Sequence, residues 1–209
     1  VEAATGNNAI IVCPGVARTI SPADIDAWGA TIDNARVFMT QLEQPIDAAF
    51  RALERARQAG ATTILNPAPA DTLPEGMLAL CDYVTPNESE AEGLTGIKVT
   101  SPDSARAAAE ALIARGAGAA LLTLGENGAY FHDGRTSLHL PVMDAGPVAE
   151  TTGAGDALNG GFAAALADGA APVEAARFGI ATASLSVTRP GTAPSMPDRA
   201  EIDALLARA

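Results

Sequence analysis

The chain has 209 residues, of which 13 are Lys or Arg and 25 are Asp or Glu, so its formal net charge is −12. A chain this acidic offers no broad basic surface for phosphate backbones, which argues against nucleic acid as a partner. Its apolar fraction of 48% is too high for a disordered chain, and the length suffices for a buried core. No apolar run approaches the ~20 residues of a membrane helix, and residues 1–8 lack a signal-peptide pattern. We therefore expect a folded cytoplasmic protein with no membrane partner.

Two cysteines, Cys13 and Cys81, stand far apart in a chain that has only two histidines. Their spacing fits neither a zinc site nor a disulfide framework. We predict that both are small buried residues.

Apolar runs alternate with amphipathic segments, which is the pattern of strands and crossover helices in a largely parallel sheet. A strand is predicted at 9–13. Ser21 as N-cap and Pro22 in the first turn predict a helix that runs to about Asp33. A strand at 37–40 follows, and then a helix at 45–59 that ends before Gly60.

The second half continues the alternation. We predict strands at 62–66, 83–85 and 119–124, helices from Glu88 and over 102–115, and a hairpin over 128–141. Three helices close the chain, at about 154–168, 172–187 and 198–207. The predicted fold is therefore an α/β fold, a doubly wound, largely parallel sheet with helices on both faces.

The segment from Glu150 to Gly160 carries the clearest chemical signal. Its small residues open directly into an apolar helix, so several backbone amides and the helix dipole favour an anion there. Asp156, in the first turn, would stay ionised and could accept a proton from a hydroxyl that attacks a phosphorus atom. The alternative is a glycine-rich turn in which Asp156 serves only the helix N-terminus. The segment is neither a Walker A loop nor a dinucleotide fingerprint.

These residues, in this order, resemble the ribokinase, or phosphofructokinase-B, family of carbohydrate kinases. Five segments carry the resemblance: 41–43 before Pro45, 66–70, 85–92, 123–128 and 150–160. They spread over nearly the whole chain. The combination of Glu43 with Asn66–Ala70 favours the ribokinase branch. The resemblance implies a ribokinase-like fold.

The resemblance also implies catalytic roles. Asp156 would be the base that takes a proton from the primary hydroxyl of the sugar, and the amides of Gly153, Ala154 and Gly155 would hold the charge on the transferred phosphoryl group. Glu43 would bind sugar hydroxyls. The alternative for Glu43 is an ordinary surface residue.

The remaining implied roles concern ATP and Mg²⁺. Glu90 would organise Mg²⁺ through water. The nucleotide would be bound by Asn87, Thr123, Gly125, Glu126, Asn127, Gly128 and Gly155. The alternatives are a capping box formed by Asn87 and Glu90, and an ordinary hairpin turn at 123–128.

A monovalent cation, K⁺, activates members of this family beside the anion site. The matching positions are Glu150, Thr152, Ser186, Arg189, Gly191 and Ser195. Glu150 stands where the family has aspartate, so this cation loop is the element in which the chain departs from the pattern.

The resemblance further implies that the chain lacks the N-terminal third of the family, which carries the first strands, a sugar-binding loop and most of a lid. Residues 1–14 would be a remnant of the lid, and 15–209 a single α/β domain. The complete protein would be a homodimer through the lid. The expected function is ATP-dependent phosphorylation of D-ribose to D-ribose 5-phosphate. The alternatives are a non-catalytic or truncated nucleotide-binding member, or a kinase for fructose, 2-keto-3-deoxygluconate or a nucleoside.

Overall fold

A computed structural model describes residues 12–209. These residues form two compact units, and each is described by itself. The sheet unit contains Cys13–Gly125 and Ala129–His139, and the helical unit contains Glu126–Gly128 and Leu140–Ala209 together with Val12. The predicted division into residues 1–14 and 15–209 stays a prediction.

Six strands form one mixed sheet in the order β1-β2-β3-β4-β5-β6. They are β1 (Val37–Thr40), β2 (Thr62–Leu65), β3 (Tyr83–Val84), β4 (Ala119–Thr123), β5 (Ala129–His132) and β6 (Ser137–Leu140). Strands β1 to β4 pair in parallel, whereas β5 runs antiparallel to β4. The predicted α/β class with a largely parallel sheet is confirmed.

The described residues also form eight α-helices. Those of the sheet unit are α1 (Pro22–Ala27), α2 (Gly29–Asp33), α3 (Ile46–Gln58), α4 (Glu88–Thr95) and α5 (Pro102–Ala114). Those of the helical unit are α6 (Ala154–Ala167), α7 (Pro172–Ser186) and α8 (Arg199–Leu206). Among residues 12–209, no helix is both long and apolar enough to cross a membrane.

Local capping signals account for most of the helix starts. Ser21, Asn87, Ser101 and Asp198 each form a capping box with the residue three positions later. Each box satisfies amides of the first turn that have no acceptor inside the helix. The helix starts near Pro22, Glu88 and Pro102 are therefore where the sequence places them.

The single helix predicted from Ser21 to Asp33 is wrong in one respect, because the chain breaks it at Trp28 into α1 and α2. The guanidinium of Arg55, on α3, packs against the start of α2 and occupies the space that a Cβ on Gly29 would fill. Arg55 is held there by an ion pair of 2.7 Å with Asp33. Glycine at position 29 thus admits this long-range contact.

Apolar side chains of the sheet unit pack between the strands and the helices. Leu65, Val84 and Leu122 belong to one buried cluster with Leu53 of α3 and Leu112 of α5. A smaller cluster joins α1 and α2 to the outer side of α3. This packing holds the carboxyl ends of the parallel strands in register at one edge.

The two cysteines have different environments. Cys81 is buried, as predicted, whereas Cys13 is exposed, so the prediction for Cys13 is wrong. Cys13 precedes a short 3-10 turn, Gly15–Thr19, that buries none of its residues. The predicted strand at 9–13 lies mostly outside the described residues, and its last two residues, Val12 and Cys13, are not in a strand.

Candidate active site

The carboxyl ends of β2 and β3 are joined by the side chain of Asn66. This buried amide donates a hydrogen bond of 2.8 Å to the carbonyl of Thr85. The backbone N–H of Thr85 in turn donates to Leu65, at 2.9 Å. Parallel pairing therefore brings the segments after β1, β2, β3 and β4 to the same sheet edge, where α/β sheets bind ligands.

Asn87 and Glu90 form a closed hydrogen-bonded pair at the start of α4. Both carboxylate oxygens of Glu90 accept from Asn87, one from its backbone N–H and one from its side-chain amide, each at 2.9 Å. Burial raises the pKa of the Glu90 carboxyl, and the backbone hydrogen bond from Asn87 opposes this change. The capping-box interpretation is confirmed. A role for these residues at Mg²⁺ stays a prediction.

Glu43 lies just beyond β1 with its side chain exposed. Hydrogen bonds from the residues before and after Glu43 hold the turn that carries it. The Gln44 side chain donates to the hydroxyl of Thr40 at 2.6 Å, and the N–H of Leu42 donates to the carbonyl of Ala68 at 2.9 Å. Glu43 is thus a surface residue, as the alternative states, on a turn that lies at the sheet edge.

Within the segment from Thr123 to Gly128, a 3-10 turn over Gly125–Asn127 connects the antiparallel strands β4 and β5. This is the geometry that the hairpin alternative predicts. Glycine is required at its end, because Gly128 has φ of 87° and a Cβ there would lie 2.1 Å from the carbonyl oxygen of Leu140. Gly125, Glu126 and Asn127 are exposed, as a nucleotide-binding loop requires.

The helical unit contains the loop-to-helix turn that the sequence indicates as an anion site. Gly153 is the N-cap of α6 with φ of 80°, a left-handed conformation that disfavours other residues. Its carbonyl accepts from Ala157 at 2.8 Å, which starts the helix. Asp156 lies exposed in the first turn. First-turn amides point out of a helix and favour negative charge, so this turn can bind a phosphoryl group beside a carboxylate.

The segment after α7 packs against this turn. The Thr192 side chain lies 3.5 Å from the position of a Cβ on Gly153, and the carboxylate of Glu150 accepts a hydrogen bond of 2.8 Å from the N–H of Gly191. That hydrogen bond lowers the pKa of the Glu150 carboxyl. No local sequence signal indicated the contact between Thr192 and Gly153.

The six predicted cation ligands differ in what their side chains do. The Thr152 hydroxyl is buried, and a hydrogen bond with it helps to lower the pKa of the Glu150 carboxyl. Ser186 and Ser195 donate to the nearby carbonyls of Ala183 and Thr192. The Arg189 side chain forms an ion pair with Glu201, so only its carbonyl could face an ion. The hydroxyl, carbonyl and carboxylate oxygens of these residues are hard ligands, which fit a monovalent cation.

A divalent ion would be held differently. In the part of the chain that the structure describes, no three His, Cys, Asp or Glu side chains stand together as a metal-binding group. Mg²⁺ usually keeps several waters and binds through one or two carboxylates and phosphate oxygens, so the single carboxylate of Glu90 fits that mode.

An apolar groove of about 360 Å³ also lies in the sheet unit, on α1, α2, α3 and β1. Its lining includes Ile20, Trp28 and Phe38, and none of the predicted site residues. It is not the candidate active site, because it lacks the convergent polar groups that phosphoryl transfer needs.

Comparison with known proteins decides the family. Residues 1–199 match the model of the pfkB family carbohydrate kinases. The chain belongs to the pfkB family. Among its relatives, the ribokinase of Staphylococcus aureus (strain COL) is 39% identical over 96% of this chain and 66% of that protein. The ribokinase of Haemophilus influenzae is 36% identical over 95% of this chain and 65% of that protein.

Solved structures of ribokinases are also similar to this chain. A ribokinase from Thermotoga maritima matches 97% of this chain with a TM-score of 0.86 and 34% identity. A ribokinase of Arabidopsis thaliana, solved in complex with ribose and ATP, matches 96% with a TM-score of 0.87 and 30% identity. The chain spans 66% and 65% of these two structures, about two thirds of each relative. The predicted ribokinase-like fold is confirmed.

Proposed function

We propose that this chain acts as an ATP-dependent kinase that phosphorylates the primary hydroxyl of a sugar, with D-ribose the first candidate. The observation that carries the proposal is the position of Asp156, which lies in the first turn of α6 just after the left-handed Gly153. The ribokinase relatives, one of them solved with ribose and ATP, support the choice of reaction and sugar.

In this proposal, the residues of the turn that begins α6 have two separate roles. The carboxylate of Asp156 takes the proton from the sugar hydroxyl, which makes the oxygen a better nucleophile. The amides of Gly153, Ala154 and Gly155 bind the phosphoryl oxygens on which negative charge collects. ATP supplies the transferred γ-phosphoryl group when bound.

The sheet edge would hold the two substrates. Glu43 would accept hydrogen bonds from sugar hydroxyls. Asn87, Thr123, Gly125, Glu126, Asn127 and Gly128 would contact the nucleotide. Glu90 would order waters around Mg²⁺, and Glu150, Thr152, Ser186, Arg189, Gly191 and Ser195 would surround K⁺. Homodimerisation through the lid and a cytoplasmic location also stay predictions.

The test is ADP release from Mg-ATP by the 209-residue chain, with ribose, fructose and adenosine in turn, first with K⁺ and then with Na⁺. We expect release that depends on ribose and is faster with K⁺. Asp156→Asn should lower kcat by about 10²–10⁴-fold and leave ATP affinity nearly unchanged. Asp103→Asn, an exposed acid in the first turn of α5, is the matched control and should keep wild-type turnover.

The second candidate function is nucleotide binding without turnover, the alternative that the sequence leaves open. Saturable ATP binding with no ADP release from any of the three alcohols would support it. An Asp156→Asn variant that keeps more than about a tenth of the wild-type rate would contradict the role of Asp156 as the base.

A further inference from the structure

Asn159 is a buried polar residue in the second turn of α6. Its side chain is only 4% exposed. Asparagine is a weaker helix former than alanine, because its amide competes for backbone groups, and the helix around it consists largely of alanine and glycine. Burial of an amide is unfavourable unless its hydrogen bonds are satisfied. Its presence here therefore depends on the hydrogen bonds it makes.

One of these bonds reaches the first turn. The side-chain amide nitrogen of Asn159 donates to the carbonyl oxygen of Gly155 at 3.0 Å. In a regular α-helix that carbonyl also accepts from the N–H four residues later, which is that of Asn159 itself. The side chain thus adds a second donor to one carbonyl.

The carbonyl of Gly155 and the N–H of Asp156 belong to one planar peptide group. When the Asn159 side chain holds the carbonyl of Gly155 in place, the N–H of Asp156 keeps one direction. The backbone that carries the Asp156 carboxylate is held in the same way. Hydrogen bonds to a carbonyl also polarise the peptide, which makes its N–H a stronger donor. Asn159 therefore acts on both the orientation and the donor strength of the turn.

Side-chain packing contributes little at Gly155. A Cβ there would meet no atom within 4 Å outside the helix's own backbone, and Gly155 is exposed. Glycine has the largest backbone freedom of any residue, and the N-cap two positions earlier is a glycine as well. In such a turn, a hydrogen bond from a buried side chain is the restraint that packing would otherwise supply.

We propose that Asn159 is a positioning residue that holds the Gly155–Asp156 peptide. It keeps the Asp156 carboxylate directed at the attacking hydroxyl and the first-turn amides directed at the phosphoryl oxygens. The link to turnover rests on the proposed function, whereas the restraint on the peptide does not. Asn159 itself touches none of the reacting atoms in this scheme.

Two substitutions of nearly equal shape separate the hydrogen bond from the packing. Among the described residues, threonine hydroxyls donate to the carbonyl four residues earlier from Thr95 to Ala91 at 2.6 Å and from Thr182 to Phe178 at 2.8 Å. Asn159→Thr should keep a donor to Gly155. Asn159→Val should remove it with nearly the same side-chain volume. Thr182→Val is the control for loss of such a bond in α7.

The first readout is the ¹⁵N–¹H resonance of the Asp156 amide in the 209-residue chain without nucleotide. We expect Asn159→Val to shift this resonance and Asn159→Thr to remain near the wild type. Thr182→Val should lower thermal stability without moving that resonance. An unmoved Asp156 resonance in Asn159→Val overturns the proposal. If that variant does not fold, Asn159→Ala against Asn159→Ser makes the same comparison.

The second readout is the rate of ADP release. Asn159→Val should lower kcat by about tenfold or more with KM for ATP changed by less than about threefold, and Asn159→Thr should recover most of kcat. Equal losses of kcat in Asn159→Val and Asn159→Thr contradict positioning through the donor. A wild-type chain that releases no ADP counts against the proposed function, and the amide readout then decides the proposal on Asn159 by itself.

Discussion

The carboxylate of Glu150 accepts a hydrogen bond of 2.8 Å from the N–H of Gly191, which lies 41 residues later in the chain. This bond joins the segment before α6 to the segment after α7, beside the buried hydroxyl of Thr152. From the sequence we predict that Glu150 replaces an aspartate of the family. Its side chain reaches a backbone amide directly, so it stabilises the loop.

This bond gives stability a defined dependence on pH. The Gly191 N–H lowers the pKa of the Glu150 carboxyl in the folded state. The contribution to stability is therefore present above the unfolded value near 4.5 and is lost as the pH falls through the folded pKa. Glu150→Gln should have a lower unfolding midpoint than the wild type at about pH 6, and the difference should shrink as the pH falls below about 4.5. Equal midpoints at both pH values would contradict the prediction, and Glu174→Gln, exposed on α7, is the control.

Two glycines of the α6 turn should respond oppositely to alanine. Gly153 has φ of 80°, so Gly153→Ala should lower the free energy of unfolding by about 1–2 kcal/mol. Gly155 is helical with open space around it, so Gly155→Ala should raise that free energy by about 0.5–1 kcal/mol. Urea unfolding measures both.

Gly155→Ala should nevertheless reduce ADP release, because its methyl group would project where the phosphoryl group approaches. A variant that gains stability and loses turnover would locate the anion site at this turn. Full turnover in a more stable Gly155→Ala variant would place the phosphoryl group elsewhere.

Glu90 should titrate above the usual range of a glutamate. Burial raises its pKa from 4.5, so the folded state holds the proton more tightly than the unfolded state does. The contribution of Glu90 to stability therefore decreases as the pH rises through the folded pKa. ¹³C NMR should give a midpoint above 4.5 for its carboxyl, and Glu90→Gln should flatten the pH dependence of unfolding above about pH 4.5. Glu92→Gln, exposed on the same helix, is the control, and a Glu90 midpoint at or below 4.5 would refute the effect of burial.

The two cysteines should differ in reactivity towards a thiol reagent. Burial raises the pKa of the Cys81 thiol to about 12, and the side chain is only 1% exposed. Cys13 is exposed. Because the thiolate is the reactive form, the native chain should be labelled at Cys13, with Cys81 reacting only after unfolding. Mass spectrometry of labelled peptides measures this, and early labelling of Cys81 would show that its surroundings open.

The helix starts at Ser21, Asn87 and Ser101 could be predicted because a capping residue acts within three positions of itself. The parallel strands from β1 to β4 followed from continuous apolar runs separated by helices. Two predictions failed for want of such a local signal. Neither the break at Trp28 nor the exposure of Cys13 is marked by a capping residue or a change of hydrophobic period in the neighbouring sequence.

The candidate site divides in the same way. The sequence by itself determined which groups are available: a carboxylate at Asp156, small residues at 153–155, and the Asn87 and Glu90 pair whose interaction is local. Only the tertiary structure decided that the Asn66 amide links β2 to β3 through Thr85, that Gly191 donates to Glu150, and that Thr192 packs against Gly153. Each of these contacts joins residues about 20 to 40 positions apart, and such pairs meet only when burial of the apolar core has selected one arrangement of the elements.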